Sequence, residues 1–425
     1  MTDYATVDFL TDQTLVPDPY PYFDYLRSQS PVLRIPPYDV VAVTGYDEAM
    51  GVYRNTDDFS SCTALGGPFP PLPFTPKGDD INAQIDAHRE QFPMFEHMVT
   101  MDPPDHTRAR SLLSRLLTPK RLKENEDFMW RLADRQLDEF IDQGHCEFLT
   151  EYAKPFSLLV IADLLGVPEE DHQEFRVVLG AERPGSRVGA LDHEPVGTNP
   201  LEWLDDKFSA YLEDRRREPR DDVLTELATA KYPDGSTPEI IEVVRTATFL
   251  FAAGQETTTK LLSAAMKVLV DWPDVQQKLR DDRSLIPTFI EESLRMESPV
   301  KSDFRLARQS TKVGDLEVKA GGMVLVLPGA VNRDPSRFEN PHEFQLGRPN
   351  VREHIAFGRG VHSCPGAPLA RVEGRVSLER ILDRMGEITA DEEYHGSAEN
   401  RRYSYEPTYI LRGLTDLHIT YTPIG

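Results

Sequence analysis

Cys364 stands in the stretch His354-Ile-Ala-Phe-Gly-Arg-Gly-Val-His-Ser-Cys-Pro-Gly-Ala-Pro-Leu-Ala-Arg371, at the end of a glycine-punctuated loop and just ahead of a helical pattern. Gly358 and Gly360 let the backbone turn tightly and approach something flat with no Cβ in the way. Pro365 and Pro368 suit the first turn of a helix running from about Ala367 through Arg375 and Leu378. A thiol so placed sits near the positive end of a helix dipole, among free backbone N–H groups, which is expected to favour thiolate over thiol. A thiolate can act as a nucleophile, a zinc ligand or an iron ligand. Zinc would want partners such as a Cys-x-x-Cys pair, and the sequence has none. A nucleophile would want a base, and His362 lies two residues away.

A second stretch breaks local rules. Phe251-Ala-Ala-Gly-Gln-Glu-Thr-Thr-Thr259 puts Gly254, Glu256, Thr257 and two more threonines inside an otherwise good helix. Glycine and β-branching both lower helix propensity. Rule-breaking in the middle of an element points to a functional site. Glu292 and Arg295 offer an i, i+3 ion pair, which alone is a weak signal because such pairs are usually solvated.

The elements that must position these groups are mostly helical. Thr237 is a fair N-cap, Pro238 suits position N1, and Glu239 complements the dipole of a helix that runs through Val270 until Trp272-Pro273 stops it. Its length would be about 50 Å at 1.5 Å per residue. Helical patterns also cover Tyr46 to Arg54, Phe128–Asp142, Glu151–Leu165 and Leu201 to about Arg217, and Asp102 to Arg110 opens another. Val32–Ile35 and Val40–Val43 fit a hairpin or meander. Strand-like segments follow at 313–318 and 321–328, and Leu417, Ile419 and Tyr421 alternate as in a C-terminal strand. Residues 62–98 lose periodicity, as a lid, a binding loop or a disordered stretch does, and Phe69, Leu72, Phe74, Phe92, Phe95 and Met98 there suggest an apolar lid. Residues 180–200 are again loop-like.

The chain of 425 residues is 39% hydrophobic and 28% charged, ample for a large core, and no linker or repeat divides it, so one domain over 1–425 is expected. A net charge of −24 argues against a general nucleic-acid binder. Cys62, Cys146 and Cys364 form no disulfide framework, which fits a reducing compartment. The N-terminus lacks a basic and an apolar region, and no run nears the ~20 apolar residues of a membrane span. A cytoplasmic protein without a membrane anchor is expected.

Phe357, Gly358, Gly360, His362, Cys364 and Gly366 together resemble the haem-binding loop of the cytochrome P450 superfamily, in its soluble, bacterial (actinobacterial-type) form. The resemblance spans nearly the whole chain. It implies the cytochrome P450 fold, mainly α with small β-sheets (α+β): a triangular helical prism with a long central helix around 238–270. The helix-rich core would lie at roughly 100–300 and 350–385, with β-rich parts near 30–45, 300–330 and 400–425. By resemblance Cys364 is the axial iron ligand of haem b, and Phe357 borders the cofactor. His106, Arg110, Arg305 and His362 would bind the haem propionates, with Asp303 orienting Arg305. Glu256 and Thr257 match the family's acid–alcohol pair. There Gly254 would let the helix bulge beside bound dioxygen, Thr257 would hydrogen-bond oxygen or an ordered water, and Glu256 would relay protons from solvent. Glu292, Arg295 and Arg348 resemble a buried bracing cluster. The stretches 62–98 and 180–200 would cover the substrate pocket, the second opening and closing over it.

The implied function is a monooxygenase that hydroxylates or epoxidises a lipophilic small molecule such as a steroid, terpenoid or fatty acid. Electrons would come from NAD(P)H only indirectly, through a reductase and a ferredoxin or flavodoxin. Arg115, Lys120, Arg121, Lys123 and Arg359 would form a basic patch steering an acidic ferredoxin. A peroxide-driven peroxygenase and a non-catalytic haem sensor are the alternatives, and the intact Glu256-Thr257 pair speaks against both.

Overall fold

Thirty-two residues, Ile240–Asp271, form one unbroken α-helix of about 48 Å. It starts later than Thr237-Pro238 suggests. Glu239 is the N-cap, its side chain accepting from the Glu242 amide while the Glu242 carboxylate accepts from the Glu239 amide at 2.7 Å. This reciprocal pair satisfies two orphan donors at once, more than the Thr237 hydroxyl offers. The helix is buried on most sides from Val243 to Val270, as expected of a helix that is apolar nearly all round. It packs against the helices Lys154–Leu164, Glu202–Arg217, Ile286–Met296 and Ala367–Arg384.

The structure, a computed structural model, describes residues 3–114, 116–180, 188–193 and 201–424. A five-stranded sheet flanks the helices in the spatial order Val32–Ile35, Val40–Val43, Met323–Val326, Asp303–Ala307, Phe59–Ser60. Only the Val40–Val43 and Met323–Val326 pair is parallel. The expected hairpin forms with Ile35 opposite Val40. Arg305 lies opposite Val324, so the strand beside the central one delivers that guanidinium. A second sheet joins His145–Glu147, His418–Pro423 and Met385–Ala390, and a two-stranded one joins Thr311–Val313 to Leu316–Val318.

Three boundaries shift for local reasons. The helix expected over Phe128–Asp142 is Pro119–Asp138, because Thr118 caps it by accepting from the Arg121 amide at 3.1 Å and Pro119 occupies its first position. The Glu151–Leu165 pattern divides into a wide turn, Leu149–Ala153, and the helix Lys154–Leu164. The cysteine helix continues to Arg384. The 62–98 stretch contains a short helix, Asn82–Ala87, and Phe92 is buried in it, while Phe69, Leu72, Phe74 and Phe95 pack half-buried on the same cluster. Met98 belongs to the main core instead. Of the 180–200 stretch only Gly180 and 188–193 are described, so its expected opening and closing lies largely outside the described residues.

Lys301 joins the central sheet to the C-terminal loop. Its ammonium is buried and donates to the Thr408 carbonyl at 2.6 Å. Burial first, then the nearby Arg412 guanidinium, push its pKa down to about 7, against the attraction of Glu297 and Glu406. Between about pH 7 and the ordinary lysine value the unfolded chain therefore binds a proton that the folded chain does not. Stability is expected to rise with pH across that window, and the full cost applies below it. Lys301→Met should flatten this rise and stabilise the protein at pH 6–7 by about 1–3 kcal/mol, after allowing for the unpaired Thr408 carbonyl. Denaturant unfolding from pH 6 to 9 measures this, and equal slopes in both proteins would count against it.

Candidate functional site

Cys364 follows a tight turn, Gly360–His362, and precedes the Ala367–Arg384 helix, whose N-cap is Gly366. Gly358 (φ +64°) and Gly360 (φ +72°) take left-handed backbone, and a Cβ on Gly360 would collide with the Tyr53 carbonyl. The Cys364 amide donates to the Phe357 carbonyl at 2.8 Å, closing the loop around the sulfur. The amides of Gly366 and Ala367 point at that sulfur, and Arg110 and Arg371 add positive charge. Even so, the thiol pKa is raised rather than lowered. The side chain keeps accessible surface but protein walls most of its surroundings, and burial outweighs the helix terminus. The thiolate expected from sequence therefore needs a bound cation to hold it. Among the described residues no three His, Cys, Asp or Glu side chains are grouped to hold a metal, so a metal on Cys364 must bring most of its ligands with it.

A cradle of nitrogen groups faces this loop. His106, from the helix Asp105–Ser111, and His362 lie with ring centroids 3.9 Å apart. Arg110 donates to the Ser363 carbonyl at 2.6 Å, and Asp303 holds Arg305 at 2.8 Å. The His362 Nε2 lies 3.1 Å from the Ser61 hydroxyl. Burial, with Arg110 and Arg305 nearby, pushes His106 down to about 4, and burial, Arg305, His106 and Arg110 push His362 down to about 2. Both rings are thus neutral beside two fixed guanidinium charges. Asp102, the other acid nearby, already accepts from the Ser60 hydroxyl at 2.5 Å and the Ser61 amide at 2.8 Å. The buried His106 Nδ1 has no hydrogen-bond partner. Such a cradle suits an anion with several oxygens.

Two buried clusters brace the loop. Glu292 takes two 2.8 Å bonds from Arg295 and contacts Arg348 at 3.1 Å, all three being at most 2% exposed. Arg295 also donates to the carbonyls of Asn332 and Pro341, both at 2.8 Å. The second cluster was not foreseen from sequence. Glu291 contacts the His354 Nε2 at 2.8 Å and Arg371 at 2.5 Å. Burial would raise its pKa, yet those two hydrogen bonds hold it down at about 2. Arg371 in turn stands 4.7 Å over the Phe357 ring. The signal lay in the doubled Glu291-Glu292, whose carboxylates leave the helix in different directions.

On the central helix, the acid and the alcohol part company. Thr257 Oγ1 donates to the Ala253 carbonyl at 2.7 Å, whereas Glu256 Oε1 meets Lys260 Nζ at 3.0 Å. Successive helical residues point about 100° apart, so neither reaches the other. The helix does not bulge at Gly254. There a Cβ would touch Ile161 at 3.4 Å, so the glycine serves close packing with the Lys154–Leu164 helix. Sequence reading also missed Glu373, buried on the cysteine helix with Oε2 unpaired, beside Thr258, and held protonated by burial. A cleft of ≈ 330 Å³, counted out to its mouth, lies within 62–93. Neither the cysteine loop nor the central helix lines it, so it is not the reacting centre.

Residues 202–387 match the Cytochrome P450 family. The chain is 34% identical over 380 residues to Cytochrome P450 144 of Mycobacterium tuberculosis, covering 88% of this chain and 84% of that one. The chain belongs to the cytochrome P450 family. Its fold superposes on Mycobacterium marinum cytochrome P450 CYP150A6 in the substrate-free form with a TM-score of 0.94, at 73% identity over the whole of both chains. On CYP109E1 from Bacillus megaterium in complex with testosterone the TM-score is 0.77 at 27% identity, covering 95% and 99% of the two chains. This P450 is a haem monooxygenase of organic substrates, with cysteine-ligated iron and O2 as co-substrate. The residues fit the group: a single thiol with flat, Cβ-free approach, and an acid-poor cradle with an unpaired His106 nitrogen suited to two propionates. No helix among the described residues is long and apolar enough to cross a membrane.

Four of the five residues expected to form a basic patch are described. Arg121 is turned inward onto the Asp163 and Leu164 carbonyls, and Arg359 onto those of Arg352, Glu353 and His354. Lys123 pairs with Asp127 at 3.2 Å and Lys120 with Glu124 at 3.7 Å. Arg115 lies outside the described residues. Both lysine side chains stay largely exposed, with an i, i+4 acid beside each.

Proposed function

We propose that this P450 hydroxylates or epoxidises a rigid, lipophilic small molecule in the cytoplasm. It draws electrons singly from NAD(P)H through a reductase and a separate ferredoxin or flavodoxin. The observation that carries this is the apolar cover: Phe69, Leu72, Phe74 and Phe95 remain half-buried on the cluster that holds Phe92, leaving aromatic surface for an apolar ligand. The testosterone bound by the related CYP109E1 supports a polycyclic substrate.

Thiolate-ligated haem supplies O2 activation, in which substrate R–H, O2, two electrons and two protons give R–OH and water. The chain's own contribution is to hold and to protonate. Cys364 Sγ is held by the Gly366 and Ala367 amides. Arg110, Arg305, His106 and His362 would hold the propionates, and the Glu292 and Glu291 clusters keep the loop from shifting. Thr257 Oγ1 carries the proton nearest the reaction. Glu256, whose side chain is 45% exposed, exchanges protons with solvent, and water between the two side chains would pass them to that hydroxyl.

Optical titration of the ferric protein with steroids and with linear fatty acids tests this reading. Steroids are expected to give a saturable spin-state shift. A shift with fatty acids alone, or with neither set in protein showing intact thiolate ligation, would contradict it.

A further inference from the structure

Arg371, in the second turn of the cysteine helix, is held at three points. Its Nε donates to Glu291 at 2.5 Å, one terminal nitrogen donates to the same carboxylate at 3.1 Å, and the guanidinium stands 4.7 Å over the Phe357 ring. Two prongs on a carboxylate and a flat face on an aromatic ring fix the position of this charge closely. Phe357 is also the residue whose carbonyl accepts the Cys364 amide, so the covered ring belongs to the turn that closes around the sulfur. The positive charge of Arg371 acts on Cys364 and favours its ionised form. Arg110 acts in the same sense, but it faces the cradle, where a propionate would meet its charge. Among the described residues, the carboxylate paired with Arg371 is Glu291.

The two members of the pair have different surroundings. The Glu291 side chain is 2% exposed and that of Arg371 is 38% exposed. His354, the other neighbour of Glu291, brings no charge to the balance. Its Nδ1 accepts the Ala356 amide at 3.2 Å and its Nε2–H donates to Glu291 at 2.8 Å, which occupies both ring nitrogens in the neutral form. Burial outweighs the pull of the carboxylate and lowers the pKa of the ring. The cluster is therefore one cation and one anion, and the cation is the member that touches the cysteine loop.

We propose that the Glu291–Arg371 pair sets the reduction potential of the haem iron, Arg371 raising it and Glu291 limiting the rise. Neither residue touches the reacting atoms. Arg371 acts on the ligand sulfur through its field and through the face of Phe357, and Glu291 acts through Arg371. Reduction moves one electron from the donor protein to the iron, and a fixed positive charge beside a negative ligand favours the added electron. This rests on the reading of Cys364 as the iron ligand.

Redox titration of the haem-loaded protein tests the proposal with two opposite signs. Arg371→Gln keeps a donor for Glu291 and removes the charge. It is expected to lower the equilibrium constant for reduction about threefold or more, on a scale where tenfold is about 59 mV. Glu291→Gln keeps an acceptor for Arg371 and His354, and is expected to raise that constant. Arg371→Lys keeps the charge without the fork and should stay within about twofold of the wild type. A loosened, wetter loop would instead move both neutral variants in one direction. Shifts of the same sign in Arg371→Gln and Glu291→Gln, or no fall in Arg371→Gln, would overturn the proposal. If either neutral variant fails to retain haem, the other, measured against Arg371→Lys, decides, and equal potentials would count against the pair. Failure of the ligand reading is a separate result: the reduced, carbon monoxide-bound wild type would then lack the thiolate band, however the potentials of the variants compared.

Discussion

Arg295→Ala is expected to yield protein that does not retain haem. The guanidinium closes two 2.8 Å bonds to Glu292 and two more to the carbonyls of Asn332 and Pro341, all in the dry interior. Removing it leaves the Glu292 charge with Arg348 at 3.1–3.2 Å and the Gln345 amide at 3.0 Å, and strands two carbonyls. Breaking a buried ion pair in this way costs about 3–5 kcal/mol, and the orphaned acceptors add to it. The chain between Asn332 and Arg348 leads directly into the cysteine loop, and the Ile355 amide is itself anchored on the Asn332 side chain at 2.7 Å. Loss of the brace is therefore read first at Cys364. Haem content per chain after purification measures it, and wild-type content in Arg295→Ala would refute the bracing role. Arg295→Lys, which cannot make the two-pronged contact, should be impaired as well.

Thr257→Val is expected to cut product formation about a hundredfold, the scale of a lost positioned proton donor, while consumption of reducing equivalents falls much less. Valine keeps the branched shape on the helix, so packing is nearly unchanged. The hydroxyl now bonded to the Ala253 carbonyl is lost, and with it the proton donor proposed for the reaction. The two electrons delivered are then expected to appear, with two protons and O2, as hydrogen peroxide rather than in product and water. Measuring peroxide and product together, with a substrate identified by titration, separates this from general damage. Unchanged product per O2 in Thr257→Val would mean that the proton comes from elsewhere.

How much of this was legible in the sequence depends on the range of the interactions involved. The hairpin over 32–43 and the left-handed glycines around Cys364 were readable because local chemistry decides them. Glu292 and Arg295 were readable by spacing, and so was the helix that carries Glu256 and Thr257. Lys260 stands four residues after Glu256 and could have been found by the same rule. Glu406, 146 positions from the Lys260 it also pairs with, could not. The cradle of His106, Arg110, Arg305 and His362 came from family resemblance alone, because only the fold brings a helix, a strand and a loop together there. The Cys364 environment misled for a physical reason. Sequence shows the helix terminus, which lowers a thiol pKa, but not the burial that raises it more. The inward turn of Arg121 and Arg359 onto backbone carbonyls was also not legible, because those acceptors are brought to them only by the fold.

The most direct measurement is the absorption spectrum of the reduced, carbon monoxide-bound protein, for the wild type and for Cys364→His. The wild type is expected to show the long-wavelength band of thiolate-ligated haem. Cys364→His should lose that band, whether it binds haem through the new imidazole or not at all. A thiolate-type spectrum that survived in Cys364→His, or that was missing from haem-loaded wild type, would contradict the assignment of Cys364 as the ligand.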